Sequence, residues 1–359
     1  MFSRLTEELD SYLKMGIPGY DCIVYHDGKC VYRHFNGYSD IDQKIPLTGT
    51  ERYNIYSCSK PITCTAALQL YEKGLFSLDD KLSDYMPEFE TMYIKDENGV
   101  RKAKKHITIR NLFCMTAGFS YDINSPMLEL GKRETNGKCQ TREMMKYLAQ
   151  EPLLFEPGER WEYSLCHDVL AALVETLSGM CFGEYVRKNI FDVLGMNHST
   201  FLLEDAALDT ITTQYCYHNE TNKAEVCEKN IAYKLGSEYE SGGAGCISTV
   251  EDYIKFLEAM RIGNVILKKE TIDLMATNQL TENHFKTYWL KEEGYGYGLG
   301  VRCPLDDDVS DFGWDGAAGA YLMIDRKNKI TVYYGQHVLN PPNADQRRVI
   351  APMVREILA

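Results

Sequence analysis

Ser57-Cys58-Ser59-Lys60, running into Pro61-Ile62-Thr63-Cys64 and closing at Lys73-Gly74, is the stretch from which the rest of the chain can be read. Its apolar run predicts a helix over 61–73. Gly74 would end it, and Pro61 would sit in the first turn, where a missing N–H costs nothing. A serine and a lysine three apart share one helix face. The serine would stand at the helix N-terminus, where free N–H groups and the dipole favour negative charge. That combination supplies a nucleophile, a cation or base beside it, and part of an oxyanion site. Four residues alone fit equally a capping serine followed by an exposed lysine, so the decision falls to fragments downstream.

Strand and helix signals are distributed unevenly. A first helix carries Leu5, Leu9 and Leu13 at i, i+4 spacing. Two β-rich runs, 21–25 and 29–34, are joined by Asp27-Gly28, a strong hairpin signal. From 78 to 237 the pattern is mainly helical. Ser248-x-x-Glu251 reads as a capping box opening a helix to about residue 261. Strand-type runs follow at 297–301, 320–324 and 330–334, and a last helix over 345–358 should kink at Pro352. Strands at both ends and helices between them predict an α+β fold. An antiparallel sheet flanked by terminal helices is built from 1–77 and 238–359. A mainly helical domain over 78–237 is inserted, with the site in the cleft between the two.

The 359 residues are 44% hydrophobic and 25% charged, ordinary for a globular chain. A net charge of −13 argues against nucleic acid and against an anionic membrane surface as partners. The N-terminus has no signal-peptide pattern and no run of 18 apolar residues exists, so the expectation is a cytoplasmic protein with no membrane span. The twelve cysteines show no C-x-x-C and no histidine at zinc spacing. They read as reduced, mostly buried small hydrophobes, with no metal site.

Two further fragments complete the first. Tyr163-Ser164-Leu165 follows Glu156-Pro157-Gly158 in a loop before a helix, and a tyrosine beside a cation is a proton relay. Gly313-Trp314-Asp315-Gly316-Ala317-Ala318-Gly319 enters a strand, where small residues let a substrate reach backbone N–H groups. Ile107-Thr108-Ile109-Arg110, Thr116-Ala117-Gly118, Leu194-Gly195-Met196 and Ser248-Thr249-x-x-Asp252 stand between them.

Together these fragments resemble the serine β-lactamase and penicillin-binding-protein superfamily, and most closely the family VIII carboxylesterases and their class C β-lactamase relatives. The resemblance implies that Ser57 is the acylated nucleophile, Lys60 its partner and Tyr163 the proton relay. The backbone N–H groups of Ser57 and Ala317 would form the oxyanion hole, and no cofactor is used. Tyr121, Leu165, Trp314, Asp315 and Gly316 would line the substrate site, which takes a small-molecule ester or amide. A free lysine titrates near ~10.4, so a base role at neutral pH needs surroundings that disfavour the cation. The alternative is a charged lysine that holds the tyrosine as phenolate, and both readings stay open here.

Departures from the lactamase pattern narrow the expectation. Leu165 stands where class C enzymes carry an amide-reading Asn, and Trp314-Asp315-Gly316 replaces Lys-Thr-Gly, so the groups that read a lactam's amide and carboxylate are absent. Asp315 is either a solvated turn acid or a charge that repels anionic substrates or attracts a cationic group. His167 reads as structural. The sequence therefore predicts a serine hydrolase cleaving small acyl esters. Acyl transfer, D-amino-acid peptidase or amidase action and weak β-lactamase action are alternatives, and a non-catalytic binding protein is the competing class.

Overall fold

A computed structural model describes the chain except for residues 98, 202–206, 208–209, 228–234 and 307–308. Its centre is a six-stranded sheet in the order Asp311–Phe312, Tyr321–Asp325, Ile330–Gly335, Gly19–His26, Lys29–Asp40, Ile45–Pro46, antiparallel throughout. Asp27 and Gly28, both at positive φ, close the hairpin between the fourth and fifth strands, as a two-residue turn of the expected type requires.

Side-chain alternation divides the sheet into two faces. Cys22, Val24, Val332 and Tyr334 meet Leu5, Leu9 and Tyr12 of the Ser3–Lys14 helix and Ile350 and Val354 of the Ile350–Leu358 helix. Ile23, Leu322, Ile324 and Tyr333 belong instead to the larger core with the Val250–Ile262 and Ser59–Glu72 helices. Ser59–Glu72 is buried on all sides through most of its length, which explains why its sequence is apolar without a polar stripe.

Several elements differ from their sequence reading, each for a local reason. The run 297–301 is not a strand: Tyr295–Tyr297 pairs with Arg302–Pro304, and 298–301 turns between them. The cap of the Val250–Ile262 helix is Thr249, whose Oγ1 accepts from the Asp252 N–H, while Ser248 Oγ bonds to Ser199 Oγ. The last helix does not kink at Pro352. A 3-10 turn, Gln346–Val349, leads into Ile350–Leu358, and Pro352 occupies its first turn, where no N–H is needed.

The region 78–237, part of which lies outside the described residues, carries helices such as Pro126–Glu134, Thr141–Leu148 and Cys166–Ser178. It also carries two hairpins that periodicity did not reveal, Tyr93–Asp96 with Gly99–Lys102 and Tyr215–His218 with Lys223–Val226. The second pairs in parallel with Val338–Leu339, and its Tyr215 and Tyr217 pack into the core beneath the terminal helices. All twelve cysteines are free, and eight are buried. Among the described residues no single helix is long and apolar enough to cross a membrane.

Candidate active site

Ser57 lies in the 3-10 turn Tyr56–Cys58 that feeds directly into the Ser59–Glu72 helix. Tyr56 takes a φ of +48°, unusual for a side chain of that bulk. Its hydroxyl donates to Gln214 Oε1 at 2.5 Å and the residue is buried, so packing holds the turn that presents Ser57. One turn on, Tyr253 Oη donates to the Cys58 carbonyl at 2.6 Å, and Ser59 Oγ accepts from the Cys246 N–H at 2.9 Å.

Three side chains converge. Lys60 Nζ donates to Ser57 Oγ at 3.1 Å and to the Gly243 carbonyl at 2.7 Å, and Tyr163 Oη lies 2.6 Å from Ser57 Oγ. Lys60 is wholly buried, with its ammonium 4.5 Å from the Tyr163 ring centroid and 5.6 Å from that of Tyr121. The Pro157-Gly158 turn carries the chain to Tyr163, with Gly158 at a φ of +77°. That loop is stapled by Thr287 Oγ1, which donates to the Trp161 carbonyl, and by His284 against the Gly158 carbonyl.

Ser57, Tyr163, Trp314, Asp315, Gly316 and Ala317 line one cavity of about 270 Å³. Gly316 has no room for a side chain: a Cβ there would meet the Ile55 carbonyl at 2.5 Å. Trp314 stacks on Tyr163 with centroids 5.7 Å apart and donates its indole N–H to Tyr163 Oη at 3.3 Å. Two expected lining residues stand elsewhere. Tyr121 does not line this cavity but stacks on Tyr163 at 5.3 Å. Leu165 is buried in the core at the start of the Cys166–Ser178 helix, because an apolar side chain there gains more from the core than from the cleft.

Asp315 is partly buried and is not a lone acid. Its carboxylate pairs with Arg302 at 2.8 Å, and Arg302 also faces Asp311 at 3.5 Å. Burial opposes the Arg302 charge, but Asp315 and Asp311 outweigh it and hold the guanidinium firmly protonated. The nearby thiols do not compete with Ser57 as nucleophiles, since burial pushes Cys58, Cys64 and Cys166 upward, Cys166 to about 11. His167, pushed down to about 3 by burial and by Lys60, is neutral and contacts the Phe113 carbonyl, consistent with a structural residue.

A family model described as Beta-lactamase matches residues 3–352. The chain belongs to the Beta-lactamase family. Within the family it is 25% identical to Esterase EstB of Burkholderia gladioli, over 92% of this chain and 88% of that one. It is also 25% identical to Protein Rv1367c of Mycobacterium tuberculosis, over 89% and 86%. Among solved structures, EstCE1, titled a hydrolase with promiscuous acyltransferase activity, aligns over 99% of this chain and 98% of its own, at 24% identity and a TM-score of 0.79. A simvastatin synthase from Aspergillus terreus aligns over 99% and 96%, at 22% identity and 0.81. The Beta-lactamase family assignment makes this a chain of the serine hydrolase class on a β-lactamase/transpeptidase-like fold.

Sequence reading missed Trp289, Leu290, Arg302, Arg347 and Arg348, which share the cavity wall with Ser57. They come from the 284–302 segment and the turn before the last helix, and no motif marks either. Asp168 was also missed, although an acid inside the run 165–174, apolar but for its neighbour His167, was a readable signal.

Proposed function

We propose that this chain is a carboxylesterase that forms an acyl-enzyme on Ser57. The contact of Ser57 Oγ with both Lys60 Nζ and Tyr163 Oη carries the reading. As a phenolate held beside the Lys60 ammonium, Tyr163 takes the Ser57 proton as Oγ attacks the ester carbonyl, and returns it to the leaving alcohol, which restores the phenolate. Backbone N–H groups of Ser57 and Ala317 receive the oxyanion. Water, activated by the same tyrosine, then releases the acid. No cofactor enters these steps, and the substrate is a small ester whose apolar part meets Trp289, Leu290 and Trp314.

The name of the esterase relative supports this reading, at 25% identity over most of both chains. Acyl transfer is the second reading: the rim carries Trp289, half-exposed and edge-on to Trp161 at 4.7 Å, an apolar shelf that an acceptor alcohol could occupy in place of water. Free thiols throughout suit a reducing, cytoplasmic setting.

Fluorophosphonate labelling followed by a p-nitrophenyl ester chain-length series tests the proposal. Ser57→Ala should lose the label and at least about 10³-fold in turnover. Label retained at another serine in Ser57→Ala would overturn the assignment. A cephalosporin turned over as well as a short ester would move the function to β-lactam hydrolysis. Ester formation with added alcohol that outpaces hydrolysis would favour acyl transfer.

A further inference from the structure

Asp168 is a carboxylate with no role in the chemistry above, yet it is buried within the first turn of the Cys166–Ser178 helix, directly behind Lys60. Its Oδ1 accepts two hydroxyl hydrogen bonds, from Tyr239 at 2.9 Å and from Ser241 at 2.7 Å. Ser241 Oγ itself accepts from the Ala244 N–H, so its proton is free to point at Asp168. Oδ2 is buried and makes no side-chain hydrogen bond among the described residues. Gly243 separates this oxygen from the lysine. A Cβ built on Gly243 would lie 2.6 Å from Asp168 Oδ2 and 3.5 Å from Lys60 Nζ. The two charged groups therefore stand within about 6 Å, across a gap that only glycine leaves open, a range at which opposite charges couple strongly away from water.

The surroundings of Lys60 are those of a cation. A carbonyl oxygen, a serine oxygen and two aromatic ring faces receive it. An ionised Asp168 accepts from both hydroxyls and needs no acceptor of its own, whereas a protonated one would have to turn one of those hydroxyls round to receive its proton. Resting on the serine hydrolase reading, we propose that Asp168 is the counter-ion that keeps Lys60 charged, so that Lys60 holds its protons through the reaction and Tyr163 alone exchanges a proton with Ser57. Asp168 is thus a positioning residue that acts through Lys60. Burial raises the carboxyl of Asp168, while Ser241, Lys60 and Tyr239 work against that rise. The other titratable groups packed here are His167, Cys64, Cys166, Tyr121, Tyr163 and Tyr239. Burial keeps His167 neutral and pushes the two thiols and Tyr239 upward, so these four do not change charge between about pH 5 and 9.

Asp168→Asn keeps the volume and the acceptor oxygen and removes only the charge. Fluorophosphonate labelling of Ser57 and ester kcat/KM, measured across pH in the wild type, first establish whether the serine is reactive; an unlabelled wild type would sink the hydrolase reading and not this one. With a reactive wild type, Asp168→Asn should lower kcat roughly 10- to 100-fold at neutral pH, with KM little changed. It should also move the alkaline fall of the profile to lower pH. Tyr239→Phe, which weakens the carboxylate without removing it, should move that fall in the same direction by less. If Asp168→Asn does not fold, Tyr239→Phe decides by the same readout. A profile that keeps its position while activity falls would make Asp168 a packing residue and overturn the proposal.

Discussion

The indole N–H of Trp314 points at the Tyr163 hydroxyl oxygen, 3.3 Å away, while the two rings stack with centroids 5.7 Å apart. Trp314 replaces a strand lysine of the lactamase pattern, and it supplies a neutral donor to the oxygen that must accept the Ser57 proton. A neutral donor stabilises the Tyr163 phenolate, the form able to accept that proton, without adding a cation to the substrate pocket. Trp314→Phe keeps the stack and deletes the donor. It should reduce kcat by roughly 10- to 100-fold with KM nearly unchanged, the range of one hydrogen bond to a charged group. A loss confined to KM in steady-state ester kinetics would show that the N–H is not used at the tyrosine.

Charge preference should be the reverse of what Asp315 suggests in isolation. Arg302 already covers that carboxylate, and Arg348 pairs with Glu293. Arg347 remains: it is largely buried, lines the cavity with Ser57, and its Nε and Nη1 find no hydrogen-bond partner among the described residues. Esters carrying an anionic group should therefore be preferred over cationic ones by about tenfold or more at low salt. Arg347→Met should erase the preference. Asp315→Asn, by uncovering part of Arg302, should increase it. A wild-type ratio of kcat/KM that favours the cationic ester would contradict the expectation.

The fold was legible from local chemistry, and the meeting of Ser57, Lys60 and Tyr163 from one short spacing joined to a motif resemblance. Apolar periodicity, an Asp-Gly hairpin and short spacings such as Ser57 to Lys60 are set within a few residues. What escaped was set by distance. Leu165 reads as a cleft residue when aligned by its neighbour Tyr163, but the helix that begins there turns it into the core. Asp315 reads as a solvated acid because Arg302, thirteen positions away in sequence, has no motif to announce it. The Tyr215–Val226 hairpin escaped because its parallel partner, Val338–Leu339, lies over a hundred residues downstream. The run 297–301 alternates like a strand, yet its two glycines serve a turn.

Tyr56 should matter more than a buried tyrosine usually does. Its hydroxyl and Gln214 hold the positive-φ residue that immediately precedes the nucleophile. Tyr56→Phe leaves Gln214 Oε1 with only a weak 3.5 Å contact to Asn54. The variant should lose about 1–2 kcal/mol of stability. It should also label more slowly at Ser57, because the turn is less tightly held. Chemical unfolding and the rate of fluorophosphonate labelling measure the two effects. Wild-type labelling alongside a lowered unfolding midpoint would confine Tyr56 to a packing role.

Two carboxylates converge at the start of the Phe182–Val186 helix, and they should make stability fall as pH rises from acid towards neutral. Glu175 Oε1 accepts from the Phe182 N–H at 2.9 Å, and Glu240 Oε2 accepts from the Gly183 N–H at 2.7 Å. Burial, with the Glu240 charge adding to it, raises the Glu175 carboxyl to about 7, against the Phe182 N–H that favours ionisation. In the unfolded chain the same carboxyl titrates near its ordinary ~4.3. Between about pH 4.3 and 7 the folded protein thus keeps a proton that the unfolded chain has released. Stability falls as pH rises through that window, and the loss is complete above about pH 7, where it amounts to about 4 kcal/mol at most. Glu175→Gln retains the acceptor for Phe182 and cannot ionise. It should raise the melting temperature at pH 8 by several degrees and change it little at pH 5. Thermal unfolding of both proteins at the two pH values checks this, and an equal shift at both would mean that Glu175 is charged in the folded protein throughout.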